Sequence, residues 1–182
     1  MNAVFAIDGI TTSQLGEVWA AASPRGLVAV EFGVSREAFE ATIRQHGARR
    51  APELRSAGHG TAEAAACQIA EYLAGRRRFF EVPIDWSVLA SDFQRAALKA
   101  VAAIPYGQTR TYGQIAAQIG HSRAPRAVGR ANATNPMPLV IPCHRVIGTD
   151  GTLHGYGGRG GLKTKRWLLE LEAAALPLSP KE

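Results

Sequence analysis

Thr111-Tyr112-Gly113-Gln114-Ile115-Ala116-Ala117-Gln118-Ile119-Gly120-His121-Ser122-Arg123-Ala124-Pro125-Arg126-Ala127-Val128-Gly129-Arg130-Ala131 is the stretch on which the fold turns. Thr111 to Gln114 has the form of a capping box: the threonine oxygen accepts from the third helical amide while the glutamine reaches back. It opens a short helix through Ile119. Gly120 to Ala124 reads as a turn. Pro125 suits the first turn of a further helix, where its missing N–H costs nothing, and Ala127, Val128 and Ala131 continue it. A short helix, a turn led by glycine and a second short helix make a helix-turn-helix pattern. Many helical hairpins share that pattern, so its charge matters. Residues 86–166 hold eleven Lys and Arg against Asp92 and Asp150, a local excess of nine in a chain of net charge +6. Lys and Arg displace condensed counterions from phosphates, which favours a polyanionic partner. A basic protein with no nucleic-acid role is the bland alternative.

Downstream lies Asn135-Pro136-Met137-Pro138-Leu139-Val140-Ile141-Pro142-Cys143-His144-Arg145-Val146. Three prolines remove backbone donors and push their predecessors into extended conformations. The segment is stiff, apolar and non-helical, and it delivers a cysteine and a histidine at its end. A thiol attacks as the thiolate, and with a free pKa near 8.5 it needs a base. His144 is suited to take the proton, directly or through one water, and Arg145 adds positive potential. Triad logic then calls for a carboxylate to orient the imidazole. Glu170 and Glu172, on a closing helix predicted over 162–175, both qualify. The bland reading makes Cys143 a buried thiol and His144 an ordinary satisfied histidine.

Upstream, Ser91 to Gln94 is another capping box, opening a helix with Phe93, Ala97, Leu98 and Val101 at helical spacing. Residues 79–86 read as an extended link. The first half shows strand-like runs at 4–7, 17–22 and 27–32. A helix capped by Ser35 follows, then one over 61–74 with Ala62, Ala66, Ile69, Ala70 and Leu73 on one stripe. Cys67 beside that stripe reads as packing, and Arg76 to Arg78 as a solvated run. The expected fold is an α/β N-terminal domain, a small sheet plus helices, over 1–86. A mostly α C-terminal domain with a winged helix-turn-helix-like DNA-binding motif follows over 87–176, and 177–182 form a tail.

Composition sets the outer bounds. The chain has 182 residues, 46% hydrophobic and 20% charged, which excludes a wholly disordered chain. No run approaches the roughly 20 apolar residues of a membrane span. The N-terminus lacks a basic n-region, so a cytoplasmic location is the default. Two cysteines make no disulfide framework and no cysteine-rich zinc site, and the five histidines show no metal-ligand spacing.

The Pro142-Cys143-His144-Arg145-Val146 run resembles the active-site motif of the O6-alkylguanine-DNA alkyltransferases, also called methylated-DNA–protein-cysteine methyltransferases. The likeness extends in order through Ile104-Pro105-Tyr106-Gly107, Thr111 to Ala116, Arg126 to Gly129, Asn135-Pro136, Gly155 to Gly158 and Lys165-x-Trp167-Leu168-Leu169-x-x-Glu172. It covers about residues 88–175.

The resemblance implies a suicidal repair protein that takes the alkyl group from O6-alkylguanine in double-stranded DNA, once per molecule, after base flipping. It implies Cys143 as nucleophile, His144 as base acting through a water, Glu172 as the carboxylate that orients His144, Asn135 as a brace beside the site, and Tyr112 as proton donor toward the purine. Arg126 is implied as the finger that replaces the flipped nucleotide, with Ala127 and Ala131 as small residues near DNA; Arg130 departs from the family, standing where many members carry a small residue, and is expected to add a phosphate contact. Val146 through its carbonyl, Tyr156, and Gly157 through its amide are implied to line the base pocket. Gly157 stands where serine is frequent in the family, and the glycine-rich loop 155–161 is longer than usual. No cofactor, metal or membrane partner is expected, and the protein should be a monomer. Three other readings stand against this one. One is a damage sensor without transfer, opposed by the presence of Cys143. Another is a Cys-His-Glu hydrolase, in which a basic helix-turn-helix would have no purpose. The last is a transcription factor using the same helix pair, for which a second regulatory domain would be expected and 182 residues leave little room.

Overall fold

The structure is a computed structural model and describes residues 5–50, 59–156 and 159–174. The chain divides into two units, Met1–Arg95 with Pro136–Val140, and Ala96–Asn135 with Ile141–Glu182.

In the first unit β1 (Ala6–Thr12), β2 (Gly16–Ser23) and β3 (Gly26–Phe32) form an antiparallel sheet in chain order, with Ala6 opposite Ala22 and Val18 opposite Phe32. The first strand starts later and runs further than its expected span of 4–7. Gly9 and the polar residues around it hide the pattern. Gly9 is required by packing, because the Trp19 ring opposite lies where a Cβ would stand. Two helices follow, α1 (Arg36–Arg50) and α2 (His59–Leu73). Ser35 caps α1 through a 3.3 Å bond from the Ala38 N–H. Phe39 and Ile43 of α1 pack with Ala21 and Val28, while Ala62 of α2 packs with Ala6 and Ala22. Consecutive strand residues point to opposite faces, so the helices cover both sides of the sheet. That is why Ala20 to Ser23 are all buried instead of alternating.

The outer edge of β3 is closed. The Leu27 N–H donates to the Pro83 carbonyl at 2.8 Å, the Asp85 N–H to the Leu27 carbonyl at 2.9 Å, and the Val30 N–H to the Pro136 carbonyl at 2.8 Å. The stretch expected to be a link is therefore partly a sheet cover. Two further expectations are corrected. Cys67 is exposed, one position round the helix from buried Ala66. Arg77 is tied to Glu71 at 2.6 Å and Glu81 at 3.1 Å, so the arginine run is not simply solvated.

The second unit is mostly helical. Its elements are α3 (Asp92–Ala102), which begins in the first unit, α4 (Tyr112–Gln118), α5 (Pro125–Ala133) and α6 (Gly161–Ala174). A two-residue parallel pair, β4 (Arg110–Thr111) with β5 (Val146–Ile147), completes it. Leu98, Val101, Ile115, Val128 and Leu168 are fully buried. The α4–turn–α5 segment is the helix-turn-helix. Its capping box is formed on both sides: the Gln114 N–H donates to Thr111 Oγ1 at 3.1 Å, and the Thr111 N–H donates to Gln114 Oε1 at 2.8 Å. The box at Ser91 is displaced, since Gln94 Oε1 accepts from the Ala90 N–H at 2.8 Å. Among the described residues no helix is long and apolar enough to cross a membrane.

Candidate active site

The proline-bearing segment ends in a 3-10 turn, Cys143–Arg145, closed by the Cys143 N–H on the Ile141 carbonyl (2.8 Å) and the Arg145 N–H on the Pro142 carbonyl (2.9 Å). With three residues per turn, successive side chains point in three directions. The turn thereby sets out Cys143, His144 and Arg145 from one short piece of backbone.

Glu172 of α6 collects two of them. Its carboxylate accepts from His144 Nε2 at 2.9 Å, from Arg145 Nε at 3.0 and 3.1 Å, from Arg145 Nη2 at 2.9 Å, and from the Gly107 N–H at 2.9 Å. These donors hold the carboxylate low, at about 2, against the opposing effect of burial. Arg145 Nη1 donates onward to the Ile104 carbonyl at 2.6 Å. Gly107 can offer its amide because it sits at φ 72°, in a turn closed by the Gln108 N–H on the Pro105 carbonyl. The choice the residues left open falls on Glu172, which is buried, while Glu170 is exposed. Arg145, expected to supply potential, is a buried clamp on Glu172.

The carboxylate fixes the imidazole. Nε2 must carry a hydrogen to donate to Glu172, which leaves Nδ1 as the basic nitrogen. Burial pushes the His144 pKa down, so the ring is neutral at pH 7 and able to receive a proton. Cys143 is 3% exposed. Burial pushes its thiol up, while the Asn135 carboxamide and the Lys165 ammonium pull the other way. The resting sulfur is therefore a thiol, which needs a base as the sequence reading expects. Asn135, half-buried, donates from Nδ2 to the Ile141 carbonyl at 2.9 Å and so braces the turn.

Lys165 has no role in the sequence reading, and the structure gives it one. It is fully buried, and Nζ donates to the Val146 carbonyl at 2.6 Å and to the His154 carbonyl at 3.0 Å. Burial brings its pKa down to about 8, with Cys143 opposing. The signal was present: Lys165, Leu168 and Glu172 fall at i, i+3 and i+7, and all three are the buried face of α6. The Val146 carbonyl is thus already engaged, though a carbonyl has a second lone pair to offer.

Tyr112 opens α4, half-buried, and its ring contacts His154 at 6.3 Å between centroids. Burial first, then Cys143, holds its phenol above the usual value. Tyr156 is buried and its phenol is pushed well above the usual value by burial, then by Cys143. Gly157 lies outside the described residues, as does the expected tail. On α5, Arg126, Ala127 and Arg130 are exposed. Ala131, expected near DNA, is 4% exposed and packs inward. Among the described residues no group of three His, Cys, Asp or Glu is placed to hold a metal ion.

The comparisons with known proteins agree with one another. The family model described as "6-O-methylguanine DNA methyltransferase, DNA binding domain" matches residues 92–174. A methylated-DNA–protein-cysteine methyltransferase of Mycobacterium tuberculosis is 49% identical over 118 residues, 65% of this chain and 69% of that protein. One from Salmonella typhimurium is 38% identical over 165 residues, 89% of this chain and 92% of its own. The crystal structure of Mycobacterium tuberculosis OGT in complex with DNA is similar at TM-score 0.73 and 36% identity, covering 95% of this chain and 96% of that one.

Proposed function

This chain belongs to the methylated-DNA–protein-cysteine methyltransferase family, and from that premise we propose that it repairs O6-alkylguanine in duplex DNA by moving the alkyl group to Cys143. The observation that carries the assignment of residues is the buried Glu172–His144 pair directly behind the Cys143 turn, in the same unit as the basic helix-turn-helix.

An alkylated base inside a duplex cannot meet a buried sulfur, so it is first extruded, at a cost of a few kcal/mol. Arg126, exposed at the start of α5, fills the vacated stack and offsets part of that cost. Ala127 lets the helix approach the groove, and Arg130 adds a phosphate contact. Once the base covers the site, Cys143 passes its proton to His144. The imidazolium that forms is stabilised by Glu172, already ionised at any pH above about 2. The thiolate attacks the alkyl carbon, the carbon–oxygen bond breaks, and the electron pair moves onto the purine. Tyr112 supplies a proton to the departing base. Val146 and Tyr156 bound the base, with Gly157 at the adjoining position. The product is a thioether on Cys143. A simple thioether has no hydrolytic step open to it, so each protein molecule acts once, and the chemistry uses side chains alone.

The experiment is an intact mass after incubation with a duplex carrying O6-methylguanine. A gain of one methyl group per protein, mapped to Cys143, supports the reading. Unchanged mass with tight binding indicates a damage sensor, and repeated turnover indicates a hydrolase. Arg126→Ala is expected to slow transfer from duplex DNA about 10-fold or more while changing overall DNA affinity by about 3-fold or less, because it removes one phosphate-scale contact among many but the whole stacking plug. Equal transfer rates in stopped single-turnover assays would remove Arg126 from the extrusion step.

A further inference from the structure

Asn132 stands apart from everything assigned so far. It lies on α5, one turn after Gly129, and is 5% exposed. Among the described residues neither its carboxamide nitrogen nor its oxygen has a hydrogen-bond partner. A buried amide left in that state costs free energy, on the order of 1–3 kcal/mol, so a fold that keeps one has a use for it. Tyr112 shows the use. A Cβ added at Gly129 would touch two carbons along one edge of the Tyr112 ring at 3.8 and 3.9 Å, so that edge packs against this turn of α5. Residues i and i+3 share a helix face, which puts Asn132 next along the same face beyond the ring. The other groups around Tyr112 are Lys165, whose Nζ is 5.8 Å from the ring centroid, His154, and the Cys143 sulfur.

We propose that Asn132 orients the Tyr112 hydroxyl: when an extruded base fills the pocket, the Asn132 Nδ2–H donates to the phenol oxygen and leaves the phenol proton aimed at the base. The inference rests on the reading of Tyr112 as proton donor. As the thiolate forms its bond to the alkyl carbon and the carbon–oxygen bond breaks, the purine takes the electron pair and then the Tyr112 proton. The tyrosinate left behind is held by Asn132 until it regains a proton from solvent. The thiol proton on His144 returns to solvent, so the net change is thiol and alkylated guanine to thioether and guanine. Consistent with this, Asn132 is the one neighbour that draws the Tyr112 ionisation down, against burial and Cys143. Asn132 is a positioning residue, acting on the base through Tyr112.

The test is a set of single-turnover transfer rates at saturating O6-methylguanine duplex for Asn132→Ala, Asn132→Asp, Tyr112→Phe and the Ala–Phe double variant. Asn132→Ala is expected to slow transfer roughly 10-fold with half-saturating DNA within about 2-fold of the native protein. Asn132→Asp should be slower still, since it replaces the donor with a second acceptor. The double variant should be no slower than Tyr112→Phe alone, because both act on one proton. In parallel, the Tyr112 ring carbon bearing the hydroxyl, followed by NMR with labelled tyrosine, should titrate at higher pH in Asn132→Ala. A native rate in Asn132→Ala, losses that multiply in the double variant, or an unmoved Tyr112 titration each overturns the proposal. If Tyr112→Phe itself transfers at the native rate, the reading of Tyr112 fails and this inference with it. If only Tyr112→Phe is slow, the inference alone fails.

Discussion

Cys143→Ser abolishes alkyl transfer: no adduct forms on the variant when it is incubated with an O6-methylguanine duplex and weighed intact. The substitution changes one atom. It replaces a polarisable sulfur by an oxygen whose hydroxyl His144 cannot ionise appreciably in a site that already resists charge. Loss of a nucleophile in such a relay lowers the rate by roughly 10³-fold or more, since no neighbouring group can do its work. DNA binding should survive. Cys143 is 3% exposed and offers almost no surface to the duplex, whereas Arg126 and Arg130 are exposed and untouched. Anisotropy of a labelled duplex checks this. The chain provides its own control, because the second cysteine, Cys67, is exposed on α2. An accessible thiol without the 3-10 turn and base that serve Cys143 should take no alkyl group from DNA. Transfer that persists in Cys143→Ser, or an adduct that maps to Cys67, would falsify the assignment.

Glu172→Gln carries the second large effect. Glutamine keeps the shape, and its oxygen can still accept from Arg145 or from the Gly107 N–H. Its amide nitrogen cannot accept from His144 Nε2–H, and if the oxygen serves His144 then Arg145 faces a donor. Either the imidazole switches its hydrogen to Nδ1, losing the basic nitrogen toward the sulfur, or a buried guanidinium loses its counter-charge. Transfer should fall about 10²-fold or more. Unfolding free energy should fall by about 3–5 kcal/mol, the usual cost of leaving one buried charge without its mate.

The pH dependence follows with a definite sign. In the unfolded chain this carboxyl takes a proton near pH 4.5, and in the folded protein near pH 2. Its stabilisation, about 3 kcal/mol by linkage, is complete above the unfolded value and is lost as the pH falls toward 2. His144 acts in the same direction. Its folded pKa lies below 6.5, so the unfolded state takes its proton first as the solution is acidified. Denaturant titrations at pH 7, 5 and 3 should show native stability dropping steeply and Glu172→Gln dropping less. Parallel pH curves for the two proteins would contradict the account.

The parts of this molecule legible from sequence are those set by short-range rules. The Thr111–Gln114 box needs only four consecutive residues, and it forms as read. The Pro–Cys–His–Arg run places its reactive groups by chain adjacency. What escaped depends on partners distant in sequence. The role of Arg145 depends on Glu172 and Ile104, 27 and 41 positions away, and no local pattern distinguishes a clamp from a source of potential. Gly107 contributes only a main-chain amide; its residue type signals the positive-φ turn but not the carboxylate 65 positions on that receives the amide. Strand β1 was underestimated because Gly9 reads as a break until Trp19 is placed over it. Lys165 could have been caught, since a lysine on the apolar stripe of a helix asks what neutralises or binds it. Cys67 was misjudged by one position of helical rotation, the smallest error a periodicity argument can make.

The two-residue pairing of β4 with β5 has a bearing on how this protein can drift over generations. Arg110 opposite Val146 and Thr111 opposite Ile147 are joined through main-chain atoms, and the turn that presents Cys143 sits immediately before one strand while Tyr112 sits immediately after the other. The gap between sulfur and phenol is thus measured by backbone, like marks on two rulers laid side by side. Exchange of the Arg110 or Ile147 side chain leaves the marks aligned, whereas Thr111 also caps α4 and Val146 is fully buried. A single codon gained or lost between Cys143 and Val146 slides one ruler by about 3.3 Å, the rise of one strand residue, and parts the two groups. Descendants of this chain can therefore vary the letters at 110 and 147 far more freely than the count between the two strands.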